Sequence, residues 1–384
     1  MTTRSAILVS GLFWCVVALL NHNAFGSDSL SHVRVVWRGD AATQAIVSWS
    51  TATAGDVHAL QIRAAGEETW NTIPCEQNLT LGESSDADAA DAALSPLHIH
   101  HVPLANLKPA TKYEIVAVSD LVKSSTFSFT TAPADNRPTQ LLYGGDSRSG
   151  WEHRQKMNRL LQRLVTEAER QGRPPVLALA HGGDFVNRGH RIDQWRQWLD
   201  DHELTTSDEG RLLPIIPTRG NHDYGEPFNA IFGFQAGDAN YYTTQLSPAI
   251  RLLTLNTETT TAGDQRNWLA SELTTIAPIS RWLLCQYHKP AFPAVKVPSG
   301  ALTNWVPLFE QYDVDLCLEA DGHCIKRTPP IRNNRIDPTG VVYVGEGGLG
   351  VGQRTPKTNR WYLQPPAVTG RGHHVHLLTF DRDR

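Results

Sequence analysis

The chain has 384 residues, a length that favours two or three domains over one compact domain. Its 35 Lys and Arg nearly balance 39 Asp and Glu without long runs of one sign, so we expect no nucleic-acid-binding surface and no polybasic membrane patch. Sixteen His stand beside five Cys and two Met, which indicates that any bound metal would have nitrogen and oxygen ligands rather than sulfur ligands.

Residues 1–26 have the pattern of a secretory signal. Arg4 supplies the positive start, residues 6–20 form an apolar core, and residues 24–26 provide small residues for a cleavage site. The apolar run is shorter than the roughly 20 residues that a membrane-spanning helix needs. An uncleaved anchor is the alternative. We therefore predict a secreted or periplasmic protein with no stable membrane span after signal cleavage.

Four cysteines follow the predicted signal: Cys75, Cys285, Cys317 and Cys324. They have no CxxC spacing, which argues against a zinc knuckle, and they allow three disulfide pairings. An oxidising compartment would permit disulfides, but the sequence does not choose a pairing.

Residues 30–133 are predicted to form an all-β sandwich. Apolar and polar residues alternate in short runs that are typical of half-buried strands, most clearly at 44–49, 59–63, 112–118 and 126–129. The segments Leu107–Tyr113 and Phe127–Pro133 resemble the last half of a fibronectin type III module. Between them and the first strands, the acidic stretch 82–91 indicates an exposed loop.

Two histidine clusters lie in predicted strands. His98, His100 and His101 alternate within the sandwich with no acidic ligand fixed beside them, and His373 to His376 lie in the last strand of the chain. For both clusters we predict packing rather than metal binding.

Beyond a linker at 132–139, the pattern changes to apolar strands that alternate with amphipathic helices, as in a layered α/β domain over residues 138–384. The predicted strands are 141–144, 176–180, 213–218, 251–256, 281–287, 314–318 and 341–345. The predicted helices are 151–171, 192–199, 264–273 and 305–312.

Polar residues directly after these strands carry the chemical signal, because open α/β sheets bind ligands beyond the carboxyl ends of their strands. A single Gly-Asp after a strand is more often a turn or a helix cap. Here five strand ends in succession carry residues of the metal-ligand type. They are Gly145-Asp146, Gly183-Asp184, Gly220-Asn221-His222-Asp223, Tyr287-His288 and Asp321-Gly322-His323.

This order of motifs resembles the calcineurin-like metallophosphoesterases across residues 138–384. The sandwich before it narrows the resemblance to the purple acid phosphatases, whose middle segment is similar to Asn240–Thr243, Leu255–Glu258 and Gln265–Leu269. The resemblance implies an α/β four-layer metallophosphoesterase domain, with two packed mixed sheets flanked by helices. It also implies a site for two metal ions.

The last metal motif of that family is His-x-His, and Val314–Leu318 and Lys326–Thr328 resemble its flanks. Without a gap between these flanks, the motif falls on Asp321-Gly322-His323, so that an Asp replaces the first His. The alternative matches Gly322-His323 with the Gly-His of the motif, which puts Ile325 at the second ligand and requires a deletion. We prefer the ungapped match.

Carried over residue by residue, the resemblance implies two metal positions, with Asp184 as the bridge between them. The first position would use Asp146, Asp184 and His323, and the second would use Asp184, Asn221, His288 and Asp321. The ions would be two divalent or trivalent metals, Fe, Zn or Mn.

Two residues depart from the family pattern. Arg148 stands where many phosphoesterases have a His, and Asn187 stands where purple acid phosphatases have their iron-binding Tyr. We therefore expect no purple colour, because that colour comes from tyrosinate bound to ferric iron.

Three further residues receive catalytic roles in this interpretation. Two dications activate a water for in-line attack on phosphorus. His222 is predicted to help the leaving group depart, and Asp223 to orient the His222 ring or support it as a general acid. Arg148 is predicted to hold the phosphate with its guanidinium fork.

The sequence thus predicts a secreted binuclear phosphatase that hydrolyses phosphomonoesters, a type of acid phosphatase. One alternative is a phosphodiesterase or nucleotide hydrolase with the same metals, because substrate choice depends on loops such as 224–237 and 293–303. Another is a noncatalytic binding protein with a degenerate metal site, in which the sandwich mediates adhesion.

Overall fold

A computed structural model describes residues 30–82, 96–357 and 359–381. The predicted signal and most of the predicted acidic loop lie outside these residues. In the described part of the chain, no helix is long and apolar enough to cross a membrane. The four cysteines beyond the predicted signal are buried, and none of them forms a disulfide.

The N-terminal region is β-rich, as predicted. Its described residues form nine strands, β1 to β9: Leu30–Val36, Ala45–Thr51, His58–Ala64, Asn71–Pro74, Gln77–Leu81, Leu97–Leu104, Lys112–Ser119, Val122–Lys123 and Phe127–Thr130. Strands β1, β2, β6 and β5 are neighbours in one sheet, and β4, β3, β7 and β8 form another, with β9 paired to β7. Trp49, Leu60, Ile115 and Phe129 are fully buried in one hydrophobic cluster, so apolar residues of both sheets share a core.

The rest of the chain alternates strands and helices. Strands β10 to β22 are Thr139–Gly144, Val176–His181, Ile215–Pro217, Tyr242–Ser247, Ile250–Thr254, Trp282–Tyr287, Leu316–Glu319, Ile325–Arg327, Ile331–Arg332, Arg335–Ile336, Val342–Gly345, Val368–Gly370 and His376–Phe380. Helices α1 to α6 are Trp151–Arg170, Ile192–His202, Pro227–Phe232, Asp264–Ile276, Ala301–Asn304 and Val306–Gln311. Short 3-10 turns lie at Glu203–Thr205, Ala277–Ile279 and Trp361–Leu363.

Two mixed sheets organise this region. The first has the strand order β22-β10-β11-β12-β1-β2-β6-β5, and the second has the order β13-β14-β15-β16-β20-β17-β21, while β18 and β19 form a separate pair. Strands β10, β11 and β12 are parallel, and so are β14, β15, β16 and β20. Parallel strands point their carboxyl ends the same way, which brings the predicted ligand corners to one edge of each sheet.

The two sheets pack face to face between outer helices, which confirms the predicted four layers. Leu141 of β10 and Leu284 of β15 belong to one buried cluster between the sheets. The adjacent residue Leu142 faces the other way and packs with Leu161 of α1. This alternation follows from the geometry of a strand, in which successive side chains point to opposite faces of the sheet. In a sheet buried on both faces, both sets of side chains are therefore apolar, and each set packs against a different layer.

The first sheet runs on into the N-terminal region without a break. Strand β1 pairs in parallel with β12, and Val36 lies opposite Ile215. One wall of the N-terminal sandwich is therefore an extension of the sheet that carries the first predicted metal ligands. The predicted domain limits, 30–133 and 138–384, remain a prediction.

Candidate metal centre

Six predicted ligands converge where strands of the two sheets end. Asp146, Asp184 and Asn221 follow β10, β11 and β12 of the first sheet, while His288, Asp321 and His323 follow β15 and β16 of the second. All except Asn221 are buried. Ligand atoms of Asp146, Asp184, His288 and Asp321 all lie within 4.8 Å of one another.

The backbone at this cluster is locally unfavourable. Asp146, Asp184, Asp321 and His323 all have positive φ, between 55° and 66°. Such left-handed residues are uncommon outside glycine and cluster at functional sites, because the surrounding structure must hold them there. Close approach of the corners also requires glycine: a Cβ on Gly220 would lie 2.3 Å from the Asp184 nitrogen. The fold therefore holds these four residues in a strained backbone conformation that points their side chains into the cluster.

His288 has the geometry of a metal ligand. Its Nδ1 lies 2.8 Å from the Gly182 carbonyl oxygen, to which it donates, so that Nε2 is directed at the cluster. Around Nε2 lie three oxygens: Asn221 Oδ1 at 3.2 Å, Asp184 Oδ1 at 3.3 Å and Asp321 Oδ1 at 3.6 Å. Donor atoms that share one ion at about 2 Å are separated by roughly 3 to 3.4 Å. The Asn221 and Asp184 oxygens lie within this range of Nε2, and the Asp321 oxygen lies slightly beyond it, so the arrangement is close to that of one metal position.

Asp146 and His323 are placed to hold another metal ion. Asp146 Oδ1 and His323 Nε2 lie 3.0 Å apart, and both side chains are buried. Apart from this close approach to each other, neither atom forms a hydrogen bond in the described residues, although buried polar atoms are nearly always hydrogen-bonded. The other carboxylate oxygen of Asp146 accepts the backbone N–H of Asp321 at 2.9 Å. These two facing atoms are therefore suited to a shared cation, and a ligand atom of Asp184 lies within 4.8 Å of one of Asp146.

The pKa shifts in the cluster also indicate that its carboxylates are stabilised by nearby positive charge. Burial opposes charge on His288, but Asp184, Asp321 and Asp146 outweigh it and raise the pKa of the imidazole well above its ordinary value. Burial likewise opposes charge on Asp184, yet His288 and His222 lower the pKa of that carboxyl. A buried group of three carboxylates retains its charge only beside cations, which is what a metal position requires.

His222 lies at the open side of the cluster, with its side chain 31 % exposed. Its backbone N–H donates to Asp184 Oδ1 at 2.9 Å. Its ring donates from Nδ1 to the Asn187 carbonyl at 2.7 Å, which leaves Nε2 directed at the cluster, 4.0 Å from Asp184 Oδ2. A proton on Nε2 would therefore face the site.

Asp223 does not contact the His222 ring, contrary to our expectation for it. Its fully buried carboxylate accepts N–H bonds from Gly220, Asp184 and Phe185 at 2.8 to 2.9 Å. The orienting partner of His222 is the Asn187 carbonyl instead. Asp223 thus holds the two ligand corners together and is a positioning residue that does not reach the open side.

Arg148 lies over Asp184, the predicted bridging ligand. Its Nε donates to Asp184 Oδ2 at 3.0 Å and its Nη1 to Asn187 Oδ1 at 3.2 Å, while 13 % of its side chain is exposed. Asn187, at the position of the family tyrosine, therefore binds an arginine. Phosphate binding by Arg148 remains a prediction.

The structure adds two cations that the sequence analysis did not single out. Lys296 forms an ion pair with Asp321, and Arg354 Nη1 reaches the backbone oxygen of Asp321 at 3.5 Å. Lys296 belongs to the loop at 293–303 that we expected to influence substrate choice. A single lysine in a loop has no spacing that would reveal it.

The chain is similar to known proteins over both of its regions. Residues 30–131 match the purple acid phosphatase N-terminal domain, and residues 113–324 match the calcineurin-like phosphoesterase family. An uncharacterized protein of Mycobacterium tuberculosis is 22% identical over 375 residues, which cover 86% of this chain and 65% of that protein. The chain thus spans slightly less than two thirds of that relative.

Two named purple acid phosphatases are also similar. Purple acid phosphatase 21 of Arabidopsis thaliana is 25% identical over 282 residues, which cover 65% of this chain and 58% of that protein. The solved structure of purple acid phosphatase PPD1 from yellow lupin superposes with a TM-score of 0.75 at 16% identity, covering 92% of this chain and 70% of that one. The chain belongs to the calcineurin-like phosphoesterase family.

Proposed function

We propose that this protein is a metal-dependent phosphatase that hydrolyses phosphomonoesters outside the cytoplasm. The observation that carries the proposal is the convergence of three oxygens on His288 Nε2 at 3.2 to 3.6 Å, together with the facing atoms Asp146 Oδ1 and His323 Nε2, which form no hydrogen bond to other described residues. Two ions in these positions would supply Lewis-acid chemistry by activating a water and offsetting charge on the phosphoryl oxygens.

The side chains of the protein carry the remaining steps. Arg148 lies over Asp184 at the partly open side of the cluster, where its guanidinium attracts the phosphoryl oxygens of an entering ester. His222, with Nδ1 held by the Asn187 carbonyl, presents Nε2 toward the same space. In its imidazolium form it transfers the Nε2 proton to the departing oxygen and is left as the neutral ring that keeps its proton on Nδ1. Asp223 keeps the two ligand corners in register through its backbone hydrogen bonds.

The direct test is a phosphatase assay of metal-depleted protein after addition of Mn²⁺, Zn²⁺ or Fe²⁺, together with metal analysis. The wild-type protein should bind metal and hydrolyse p-nitrophenyl phosphate. Asp184→Asn should lower kcat/KM by more than about 100-fold, because it weakens the ligand shared by both positions. Asp193→Asn is the matched control, since Asp193 lies in the first turn of helix α2 and pairs with Arg191, which precedes the helix.

Folded wild-type protein that binds no metal and shows no turnover with any of the three ions would refute the proposal. Turnover of bis-p-nitrophenyl phosphate in the same assay tests the ester class. A diester rate above the monoester rate would assign the protein to the phosphodiesterases instead.

A further inference from the structure

One proposed metal ligand is already paired with a fixed cation of the chain. The ammonium of Lys296 forms an ion pair with Asp321 Oδ1, the same oxygen that lies 3.6 Å from His288 Nε2. The Asp321 carboxylate is 5 % exposed, whereas the Lys296 side chain is 36 % exposed. Lys296 therefore enters from the solvent side and meets Asp321 on the face that the second metal position uses.

The segment that carries Lys296, residues 291–296, is held from behind along its length. Glu319 accepts the N–H of Ala291 at 2.7 Å, and Glu346 accepts the N–H of Ala294 at 2.8 Å. The Phe292 carbonyl accepts from Lys326, which itself pairs with both glutamates and is fully buried. Arg360 donates to the carbonyl of Lys296 itself.

Because the backbone of Lys296 is held, its ion pair with Asp321 is expected to be more stable than an ordinary surface ion pair. An exposed lysine on an unsupported loop loses side-chain entropy when it pairs, and such pairs contribute little. Here the backbone is fixed by a buried Glu-Lys-Glu group and by Arg360, so Lys296 loses less freedom on pairing. The partner is buried as well, where solvent screens the attraction less.

The charges in the cluster also indicate that Lys296 and a second metal ion compete for Asp321. Asp146, Asp184 and Asp321 bring three negative charges, while Arg148 and Lys296 bring two positive charges in direct contact with them. Counted over these five side chains alone, a first dication already turns the total to one positive charge. A second dication would raise it to three if Lys296 stayed in place, and like charges this close repel strongly at low dielectric.

We propose that Lys296 controls occupancy of the second metal position, so that an ion binds at Asp184, Asn221, His288 and Asp321 only when it displaces the lysine from Asp321. The inference rests on the proposed metal centre. It predicts one tightly bound ion and one weakly bound ion in the resting protein. By linkage, binding of the second ion and pairing of Lys296 with Asp321 weaken each other by the same factor.

The test is a titration of metal-depleted protein with Mn²⁺ by calorimetry, with metal content measured after dialysis against buffered Mn²⁺. Wild-type protein should show two unequal sites. Lys296→Met and Lys296→Gln should tighten the weaker site roughly tenfold or more, the range of an ordinary coupling between two ligands. Lys357→Met is the matched control, because Lys357 is exposed and only its backbone N–H contacts this segment, at the Ala294 carbonyl.

A second measurement follows the lysine itself. Acetylation of Lys296 by a water-soluble reagent, read by peptide mass spectrometry, should increase when the weaker site fills, while acetylation of Lys357 should not change. Two equal sites in the wild type, or an unchanged weaker site in both Lys296 variants, would overturn the inference. A raised KM at unchanged Mn²⁺ affinity would also overturn it and would assign Lys296 to the substrate.

The two proposals fail in different ways. A protein that binds no metal refutes the proposed function, and the role of Lys296 falls with it. If the protein binds metal and hydrolyses phosphomonoesters, but the Mn²⁺ affinity of its weaker site is the same in the wild type and the Lys296 variants, only the role of Lys296 is refuted.

Discussion

Buried histidines should make this protein lose stability as the pH falls. The rings of His100, His101 and His202 are buried, and burial lowers the pKa of each from 6.5 to about 3. In the folded state these rings stay neutral, whereas in the unfolded chain each binds a proton as the pH falls below 6.5. Their contribution to stability is thus fully present above pH 6.5 and is lost progressively between pH 6.5 and pH 3.

The size of the effect follows from the pKa difference. At pH 5 the unfolded state gains about 2 kcal/mol from one such histidine, because each pH unit below the unfolded pKa is worth about 1.4 kcal/mol. Three histidines together would remove about 6 kcal/mol. That loss is a large part of the roughly 5 to 15 kcal/mol that stabilises an ordinary domain.

His101→Gln tests this reasoning at one residue. The His101 ring donates from Nε2 to the Ala230 carbonyl at 2.8 Å and lies 2.6 Å from Ser48 Oγ at Nδ1. Glutamine retains a donor of similar reach but does not bind a proton in this pH range. Urea unfolding followed by tryptophan fluorescence at pH 7.5 and pH 5 should show that the variant loses about 2 kcal/mol less than the wild type.

The difference between the two proteins in the stability lost from pH 7.5 to pH 5 gives the contribution of His101, because the carboxylates and the predicted metal ligands are the same in both. His153→Gln is the control, since His153 lies exposed on helix α1. If His101→Gln lost as much stability as the wild type between the two pH values, the buried ring would not be a source of acid sensitivity, and the argument would be wrong.

Three further outcomes test the site. His222→Gln should lower kcat for alkyl phosphates by about 100-fold or more and affect p-nitrophenyl phosphate much less, since a good leaving group needs little protonation; equal losses in steady-state kinetics would contradict a role in protonation. Arg148→Ala should raise KM for a phosphomonoester, and unchanged KM and kcat would rule out the phosphate contact. The purified protein should show no tyrosinate-to-iron band in its visible spectrum, because Asn187 binds Arg148 at the tyrosine position, and such a band would refute this account.

Local sequence patterns sufficed for the layers and for the order of the ligands. The predicted helix 151–171 is Trp151–Arg170, and the predicted strand 176–180 is Val176–His181, because both have strong periodic patterns bounded by glycine and proline. The ungapped match at Asp321 and His323 also agrees with the geometry, since both side chains point into the cluster while Ile325 begins a strand that pairs with β21. The ligand roles themselves await the assays above.

Contacts between distant parts of the chain escaped prediction. Lys296 reaches Asp321 only because Glu319, Lys326 and Glu346 anchor its segment, and no spacing connects these residues. Asp223 illustrates the same limit. Its position after His222 suggested a partner for that ring, but its carboxylate is taken by the backbone of the Asp184 corner, which lies nearby only in the folded chain.

The N-terminal strands support the candidate metal centre directly. Strand β12, which leads to Asn221, has only three residues and lies between β11 and β1, so β1 supplies one of its two hydrogen-bonded neighbours. Helix α3 follows the same corner, and its carbonyls accept from Arg34 at Ile231 and from His101 at Ala230. The corner that presents Asn221 is therefore held at both ends by the N-terminal region. A separate adhesion module would need neither contact, so the sandwich is more simply understood as part of the framework that positions the predicted metal ligands.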